Sequence, residues 1–580
     1  MRICDVTTAL APLGLRAPDL EMLRPTEARY TCLLFQPGGP IFAGKHRIGL
    51  YDQVAGSLKA RQFLQLALAR HAHLAVTPEY FFPWETLKEE LLTGAQPAAG
   101  NMWVLGCESI DAPALAKFQA DVAAVCDVVY EPIAGLPADR ALFDPVVHIF
   151  QASREDGSAR LVALVQFKTC PSRDDMFFEE GLLRRGTTVY RFKGLDGTLS
   201  ASTVICSDAF ALTDSVVQEL VDRATLIHIQ LNPDPRNSAY RQYRKTTFET
   251  DPSTSECHIV CLNWAGAVVQ FDETGASETW PKVAGSAWYC PDSRCKSDDA
   301  IVLPNHELGL YYAYMQERRH ALLFDYGEAV FELQIPKVVT RGKAVLANRN
   351  GPSAVERYCW NHDASSWAPG ARPVDAGFEA LLRANPEALA ALSHMTAHGS
   401  PLDTERLLAL TVGSANGMEN WFSAKEIDSF RIDSNEVVKR VTFAQDTHPD
   451  AVRFRHGRLE SAAELRYLLN TKADWPPQLA GLSKDSLIQW SVRDPHFNVR
   501  TNDGRLSLIV NLGNAPEPRL LENTASKFVE LLRKAGGPHK DRLCIVYRRF
   551  GELKFARLPS TRFDDALGDE TDLLSVQPLE

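Results

Sequence analysis

The sequence predicts an α/β domain followed by a second, smaller domain of mixed α/β or α+β structure. Short apolar runs alternate with segments of helical periodicity as far as residue 338, which is the pattern of sheets covered by helices. Arg341 to Pro373 is rich in Asn, Gly, Ser and Pro, as connecting segments are. Beyond that stretch the composition is globular again, and a chain of 580 residues exceeds one ordinary core.

Composition limits the classes of function. The chain is 45% hydrophobic and 23% charged, with a formal net charge of −11. This balance argues against non-specific binding to nucleic acid or to an anionic membrane, so a membrane is not expected as a partner and nucleic acid is indicated at most through a partner protein. No run reaches the ~18 to 20 apolar residues that a spanning helix requires. The N-terminus lacks a basic region followed by an apolar stretch, which predicts a cytoplasmic protein.

The twelve cysteines are scattered and do not form a disulfide framework. Two pairs, Cys257 with Cys261 and Cys290 with Cys295, have a spacing that zinc ligands can use. However, Cys257 and Cys261 lead into an apolar strand, where free cysteine acts as a small hydrophobic residue. We therefore predict reduced thiols, no metal site and no cofactor.

The first half of the α/β domain is expected to contain one long helix between two buried strands. Residues 1–27 contain several prolines and are predicted to be an extension packed on the surface. The domain itself is predicted over residues 28–338, beginning with the strand Tyr30 to Gln36. An amphipathic helix follows from Tyr51 to His73, and the strand Ala75 to Phe82 comes next.

The second half of the domain is expected to be mainly strands. The turn Asp156-Gly157 precedes the strand Leu161 to Lys168. Further apolar runs predict strands ending at Cys206, at Asn232-Pro233 and at Asn263, and a last strand over Phe331 to Ile335.

Three of these apolar runs end in groups that support nucleophilic chemistry. They end in Glu79, Lys168 and Cys206, in that order. Taken alone, a cysteine in such a place is usually a core thiol, and a glutamate can cap the following helix. A buried carboxylate and a buried ammonium both need partners, however, and a cluster of the three groups would supply them. A thiol at a strand end is held rigidly, and the next turn aims N–H groups at what it attacks.

The order and spacing of these segments resemble the nitrilase, or carbon–nitrogen hydrolase, superfamily over residues 28–338. The family also has a Glu and a Gly after its Lys segment, Asp and Phe after its Cys, two strands that end in Asn, and a helix with Arg and Glu. The matching residues here are Glu179-Glu180-Gly181, Asp208, Phe210, Asn232, Arg241, Arg244, Glu249, Asn263 and Gly266. The resemblance implies an α-β-β-α sandwich, with two sheets face to face and helices outside.

The resemblance also implies a catalytic set. Glu79 would be the general base for Cys206, and Lys168 would form an oxyanion hole with the N–H of Ser207. The reaction would be hydrolysis of an amide or related non-peptide carbon–nitrogen bond of a small molecule, through a thioester. A second carboxylate, Glu179 or Glu180, would orient the substrate or hold Lys168, and we favour Glu180.

Further residues have supporting roles in this interpretation. Asp208 is expected to cap the turn after the nucleophile rather than to react, and Asn232 and Asn263 to position loops near the pocket. Family members associate through helices beside the cysteine strand. The segment Asp208 to Val221 carries an apolar stripe, formed by Phe210, Leu212, Val216, Val217, Leu220 and Val221, and therefore predicts a homo-oligomer.

Departures from the family pattern concern the loops that frame its pocket. Ser207 stands where the family usually has an aromatic residue, and Lys88-Glu89-Glu90 where it often has a glycine-rich loop. These differences indicate an unusual substrate. The alternative function is an interaction or effector module of a bacterial antiphage defence assembly, a context in which nitrilase-like domains also occur.

Residues 339–373 are predicted to be a linker or irregular segment, and residues 374–580 a domain that resembles no family known to us. Its expected helices are Phe378 to Leu392, Ser461 to Leu469 and Ala525 to Lys534. Its expected strands are Leu506 to Leu512, Leu543 to Phe550 and Leu553 to Leu558, the last two joined as a hairpin at Gly551. No glycine-rich phosphate loop is present, nor the Ser-Gly-Gly-x-Asp loop of an ATP-pyrophosphatase.

Overall fold

A computed structural model of the chain forms two compact units. The described residues of the first lie within Met1–Val374, and those of the second within Asp375–Trp421 and Thr447–Glu580. The structure describes residues 1–25, 29–133, 141–173, 179–195, 197–220, 224–233, 240, 243, 247, 257–266, 268–280, 285–291, 305, 308–315, 319–325, 327–337, 340–341, 343–344, 351–370, 407, 410–413, 460, 463–471, 475–476, 479, 481–489, 494, 496–534 and 542–558.

The first unit is built mainly from β-strands, as the alternating apolar runs predict. Its described strands are β1 Arg2–Asp5, β2 Leu15–Arg16, β3 Arg29–Gln36, β4 Ile41–Ala43, β5 Ile48–Leu50, β6 Leu74–Phe82, β7 Met102–Cys107, β8 Cys126–Val129, β9 Pro145–Arg154, β10 Ala159–Phe167, β11 Thr188–Lys193, β12 Ser200–Ile205, β13 Ala224–Ile229, β14 His258–Leu262, β15 Val269–Phe271, β16 Ser277–Thr279, β17 Ala287–Pro291, β18 Leu310–Met315, β19 Arg319–Phe324, β20 Ala329–Pro336, β21 Thr340–Arg341, β22 Lys343–Ala344, β23 Ser353–Asn361 and β24 Ser366–Pro369.

Its described helices are fewer and mostly short. They are α1 Val6–Leu10, α2 Gln53–Ala69, α3 Trp84–Leu92, α4 Ala112–Val122, α5 Glu179–Leu182 and α6 Asp214–Leu220, with 3₁₀ turns at Ala11–Leu13, Glu21–Leu23 and Cys206–Ala211. Helix α2 confirms the predicted long helix, although it is shorter at both ends than the prediction. Asp52 caps its N-terminus by accepting from the N–H groups of Val54 and Ala55, and His71 leaves the helix with φ of 49°.

Two large sheets form the core of the first unit. One has the order β1-β11-β12-β13-β14-β17-β19-β18, and the other β24-β23-β20-β3-β6-β7-β9-β10-β8, with β2 beside β9. The sheets face each other, because His148 Nε2 on β9 lies 2.8 Å from Thr203 Oγ1 on β12, and Gln166 on β10 donates to the Thr203 carbonyl. Phe63 and Leu64 of α2 are buried in the core cluster with β6, so this helix covers the outer face of the second sheet. The α/β sandwich predicted from the sequence is confirmed.

In each sheet, the topology brings the functional strand ends to a common edge. Strands β3, β6 and β7 are parallel, and β9 turns the chain so that β10 runs in their direction. In the other sheet β12, β13 and β14 are parallel. The carboxyl ends of β6 and β10 therefore share one sheet edge, and those of β12, β13 and β14 share another.

Two expectations about the limits of this domain are wrong. The N-terminal residues are not a surface extension, because β1 pairs in parallel with β11 and joins the first sheet. The predicted linker over 339–373 contains β23 and β24, which extend the second sheet beyond β20. Ladder hydrogen bonds come from the backbone, so a polar, turn-rich sequence can still form strands at a sheet edge.

The expected oligomer-forming stripe is partly used inside the unit. Val217 and Leu220 are each 1% exposed, so they pack against their own domain. Phe210 remains 49% exposed, and Leu212 and Val216 are partly exposed. Val221 lies outside the described residues.

The second unit is a mixed α/β structure, as predicted. It contains β25 Leu487–Ile488, β26 Val499–Arg500, β27 Leu506–Asn514, α7 Pro518–Lys534, β28 Leu543–Arg549 and β29 Glu552–Phe555, and residues 463–471 are helical. Parallel strands β27 and β28 are connected through α7, a β-α-β unit, and β28 and β29 form the expected hairpin at Gly551. The helix predicted from Phe378 lies outside the described residues.

Among all of these helices, none is both long enough and apolar enough to cross a membrane.

Candidate active site

Glu79 is placed by an irregularity in β6. The register with β7 shifts between Thr77 and Phe82, and Tyr80 adopts a positive φ of 60°. Gly106 on β7 makes room for this bulge, since a Cβ there would lie 2.1 Å from the Pro78 carbonyl oxygen. The Glu79 side chain is 1% exposed and is turned toward the neighbouring strand ends.

Lys168 directly follows β10, and its ammonium contacts several carboxylates. Lys168 Nζ lies 2.7 Å from Glu79 Oε1, 2.8 Å from Glu179 Oε1 and 3.3 Å from Asp144 Oδ2. Its side chain is 1% exposed. The sequence-predicted pairing of Glu79 with Lys168 therefore forms, and it is fully buried.

The glutamate that contacts Lys168 is Glu179, and the preference for Glu180 in that position is wrong. Glu179 is 2% exposed, and it accepts hydrogen bonds from the Tyr80 hydroxyl at 2.7 Å and the Ser172 N–H at 2.6 Å, besides its contact with Lys168. Glu180 is exposed. Adjacent residues of a helix point about 100° apart, so only one of the two can face the buried ammonium.

Asp144 is a member of the cluster that the sequence did not reveal. It immediately precedes β9, is 0% exposed, and its carbonyl accepts from the Lys168 N–H at 2.9 Å. Its carboxyl group lies beside Lys168 but accepts no hydrogen bond from the described residues. An Asp before Pro145 has the pattern of an ordinary turn, and only the register of β9 and β10 brings it inward.

The cluster places three carboxyl groups around one ammonium, so its carboxylates raise one another's pKa. Carboxylate oxygens of Glu79, Asp144 and Glu179 lie within 4.8 Å of one another around a single ammonium. Burial, followed by the charge of Glu79, holds the pKa of Asp144 well above its usual range, which favours the protonated form of this acid. Burial tends to lower the pKa of Lys168, but the charges of Glu179, Glu79 and Asp144 outweigh it and raise that pKa.

Cys206 begins the 3₁₀ turn that follows β12, and its backbone is strained. Its φ is 40°, a left-handed conformation that is unfavourable for a residue with a Cβ. The Cys206 carbonyl lies 2.9 Å from Nε2 of the buried His228 on β13, which holds this conformation. The thiol is 5% exposed. Such strain at a strand end is typical of a functional position, where it directs the side chain out of the sheet.

Electrostatic coupling links the thiol to the ionised cluster. Burial first, and then the charge of Glu79, holds the pKa of the Cys206 thiol well above its usual range, while Lys168 opposes the rise. Burial also raises the pKa of Glu79 against the opposing charge of Lys168. These shifts favour a protonated thiol and a more basic Glu79 carboxylate, which suits proton removal by a general base.

The turns that carry Lys168 and Cys206 are tied together. Asp208 Oδ1 accepts from the N–H groups of Thr169 and Cys170, both at 2.7 Å, and from the Thr169 hydroxyl at 2.9 Å. The Ser207 hydroxyl donates to the Cys170 carbonyl at 2.6 Å. Asp208 was expected to cap its own turn, the one after Cys206. It instead caps the turn after Lys168. Burial raises its pKa to about 7, against these hydrogen bonds.

The two asparagines connect neighbouring strand ends. Asn263 Oδ1 accepts from the Asn232 N–H at 3.0 Å, and Asn263 Nδ2 donates to the Asn232 carbonyl at 2.9 Å. The Leu231 N–H donates to Glu79 Oε2, so this bridge also orients the carboxylate. Arg241, Arg244 and Glu249 lie outside the described residues.

Tyr240 is the second residue of the site that the sequence did not reveal. Its hydroxyl oxygen lies 3.3 Å from Cys206 Sγ, and the side chain is buried. Its ring packs against Phe210, with ring centroids 4.6 Å apart. A tyrosine in a polar segment gave no signal of this position, because no motif marks it.

The described cysteines of the two pairs considered as zinc ligands are buried thiols. Cys257, Cys261 and Cys290 are buried in or beside β14 and β17, and Cys295 lies outside the described residues. Within the described ranges, the grouping with metal-ligand geometry is Glu79, Asp144 and Glu179. Lys168 places its ammonium among these oxygens, which supplies the positive charge that a cation would bring.

Comparisons with known proteins give distant structural neighbours. No family model and no curated protein matches the chain. A glutamine-dependent NAD+ synthetase from Acinetobacter baumannii aligns over 68% of this chain and 59% of that chain, with 14% identity and a TM-score of 0.27. A mutant of a Nesterenkonia amidase from the nitrilase superfamily aligns over 45% and 82%, with 13% identity and a TM-score of 0.25. A CN-hydrolase superfamily protein from Xanthomonas campestris aligns over 45% and 83%, with 13% identity and a TM-score of 0.24.

Two of these neighbours are described as nitrilase-superfamily or CN-hydrolase superfamily proteins. This chain spans less than two thirds of the length of the synthetase.

Proposed function

We propose that the first unit hydrolyses a non-peptide carbon–nitrogen bond, an amide or a related group of a small molecule, with Cys206 as nucleophile. The observation that carries the proposal is the buried ion cluster of Lys168 with Glu79 and Glu179, electrostatically coupled to a strained thiol at a strand end. Burying such charges costs free energy that a purely structural unit does not need to spend. Clusters of this kind are typical of functional sites.

The proposed reaction starts with proton transfer. Glu79 takes the proton of the Cys206 thiol as the sulfur attacks the carbonyl carbon, so that an S–C bond forms and the carbonyl becomes an oxyanion. The Lys168 ammonium and the Ser207 N–H stabilise this oxyanion. When the tetrahedral intermediate collapses, the C–N bond breaks and the leaving nitrogen takes the proton from Glu79. A thioester and an amine or ammonia result.

The second half of the reaction uses the same base. Glu79 removes a proton from water, whose oxygen attacks the thioester carbonyl. The C–S bond then breaks, the carboxylic acid is released, and the proton returns to the sulfur. Glu179 holds Lys168 in place throughout, because two of its contacts, to Tyr80 and to Ser172, do not involve the reacting groups.

The test compares the wild type with Cys206→Ala in two measurements. Untargeted metabolite profiling of cells that express each chain is expected to show an amide-bearing compound depleted only by the wild type. Incubation of that compound with purified protein should then release amine or ammonia at a rate that falls by at least about a hundredfold in the variant. Mass spectrometry of the acid-quenched reaction should find an acyl group on the Cys206 peptide.

Cys170→Ala is the matched control. Cys170 contributes backbone groups to Asp208 and Ser207, which alanine retains, so its activity should stay near that of the wild type. Activity retained in Cys206→Ala would refute covalent catalysis by this residue. A cellular effect of the chain that persisted in full in Cys206→Ala would favour the alternative function as an interaction module.

A further inference from the structure

The hydroxyl group of Tyr240 contacts the proposed nucleophile directly. Tyr240 Oη lies 3.3 Å from Cys206 Sγ, and both side chains are buried, at 7% and 5% exposure. Either atom can donate while the thiol is protonated. Once the thiol has lost its proton, only the tyrosine can donate, and a hydrogen bond to an ionised acceptor is markedly stronger than one between neutral groups.

The position of the ring is fixed by the elements that hold the nucleophile. Phe210, on the 3₁₀ turn that starts at Cys206, packs against the Tyr240 ring at 4.6 Å between centroids. His228, which contacts the Cys206 carbonyl, lies 5.9 Å from the same ring. The hydroxyl is therefore held at the sulfur by packing on two sides, so little conformational freedom is lost when the bond strengthens.

We propose that Tyr240 is a catalytic residue whose hydroxyl donates a hydrogen bond to the Cys206 sulfur and stabilises the thiolate that forms when Glu79 accepts the thiol proton. The inference rests on the proposed role of Cys206 as nucleophile. The S–H bond breaks and an O–H bond forms on Glu79, while the O–H bond of Tyr240 stays intact.

The need for this donor follows from the charges that surround the sulfur. Glu79 and Glu179 disfavour a thiolate, and Lys168 is the cation that favours it. Asp208 lies on the same turn as Cys206, and His228 contacts its carbonyl. Lys168 is already shared among carboxylates at 2.7 and 2.8 Å, so a neutral donor directed at the sulfur supplements it without adding another buried charge.

The experiment measures the pH dependence of alkylation and needs no substrate. The full chain is treated with iodoacetamide from about pH 6 to about pH 11.5, because the range must include a thiol pKa that burial raises, and modification of the Cys206 peptide is quantified by mass spectrometry. Tyr240→Phe removes the hydroxyl and keeps the ring. We expect the apparent pKa of the thiol to rise by about one unit, and the alkylation rate below that pKa to fall about tenfold.

Tyr243→Phe is the matched control. Tyr243 is buried and packs edge-on against His228 at 5.3 Å between centroids, so the same chemical change is made beside the same histidine. Its alkylation profile should match that of the wild type. A merely structural role for Tyr240 would slow or speed alkylation at every pH without moving the midpoint.

If Tyr240→Phe fails to fold, the hydrogen bond to the sulfur can instead be strengthened. A fluorinated tyrosine at position 240 is a stronger donor and should lower the midpoint. Equal midpoints in the wild type and in either folded variant would overturn the role of Tyr240 and leave the proposed function standing. A wild-type Cys206 that is never alkylated across the range would instead count against the proposed function itself.

Discussion

Removal of the Lys168 ammonium should destabilise the fold far more than removal of an exposed lysine with an equally short contact. In Lys168→Met the side chain keeps most of its length and its unbranched shape but leaves Glu79 and Glu179 without their shared cation, in a site where the lysine is 1% exposed. Breaking a buried pair by deleting one partner costs about 3–5 kcal/mol of unfolding free energy.

Lys193→Met is the control. Lys193 Nζ contacts Asp5 at 2.9 Å, but its side chain is 43% exposed. An exposed pair of this kind contributes about 0–1 kcal/mol. Urea unfolding of the full chain, followed by tryptophan fluorescence, gives both losses from the shift in midpoint at constant m.

The pH dependence of the stability lost in Lys168→Met distinguishes an electrostatic cause from a packing cause. Without the ammonium, the folded cluster holds protons that the unfolded chain releases, so the pKa values of its carboxylates are raised by folding. Stability of Lys168→Met should then fall, relative to the wild type, by about 1.4 kcal/mol per pH unit for each proton retained, between about pH 5 and about pH 8. A loss no greater than that of Lys193→Met, or one that stays constant with pH, would refute the electrostatic account.

Two further predictions follow from single side chains. Asp144→Asn replaces the acid by a neutral side chain of the same shape. Because folding raises the pKa of Asp144, the wild type loses unfolding free energy as pH rises above about 4, and the variant does not. In urea unfolding, the stability of the variant relative to the wild type should therefore increase by about 1.4 kcal/mol per pH unit. A parallel pH dependence for the two proteins would show that Asp144 is ionised. Sedimentation at micromolar concentration should show a homodimer in the wild type and a monomer in Val216→Glu. The circular dichroism spectrum of Val216→Glu should be unchanged, because Val216 is partly exposed and can accept a charge without unfolding. Val217→Glu should instead unfold the protein, since Val217 is buried, and a wild type of monomer mass would rule out the dimer.

The periodicity of the sequence determined the elements that carry the site. A strand buried on both faces is a largely apolar run, so β6, β10 and β14 were visible without any structure. Their polar last residues were conspicuous for the same reason, because an apolar run that ends in Glu79 or Lys168 implies a buried charge in need of a partner. The hairpins at Gly157 and Gly551 were visible because glycine adopts the positive φ that their turns require.

Only the tertiary structure decided which further groups complete the site. Glu179 and Glu180 are chemically identical neighbours, and the choice depends on how a short helix is rotated above Lys168. Asp144 reaches the ammonium through the antiparallel register of β9 and β10, and Tyr240 reaches the sulfur by packing on Phe210 and His228. Local sequence reports local backbone preference and burial, whereas these contacts join residues far apart in the chain, and their geometry is set by how whole strands and helices pack.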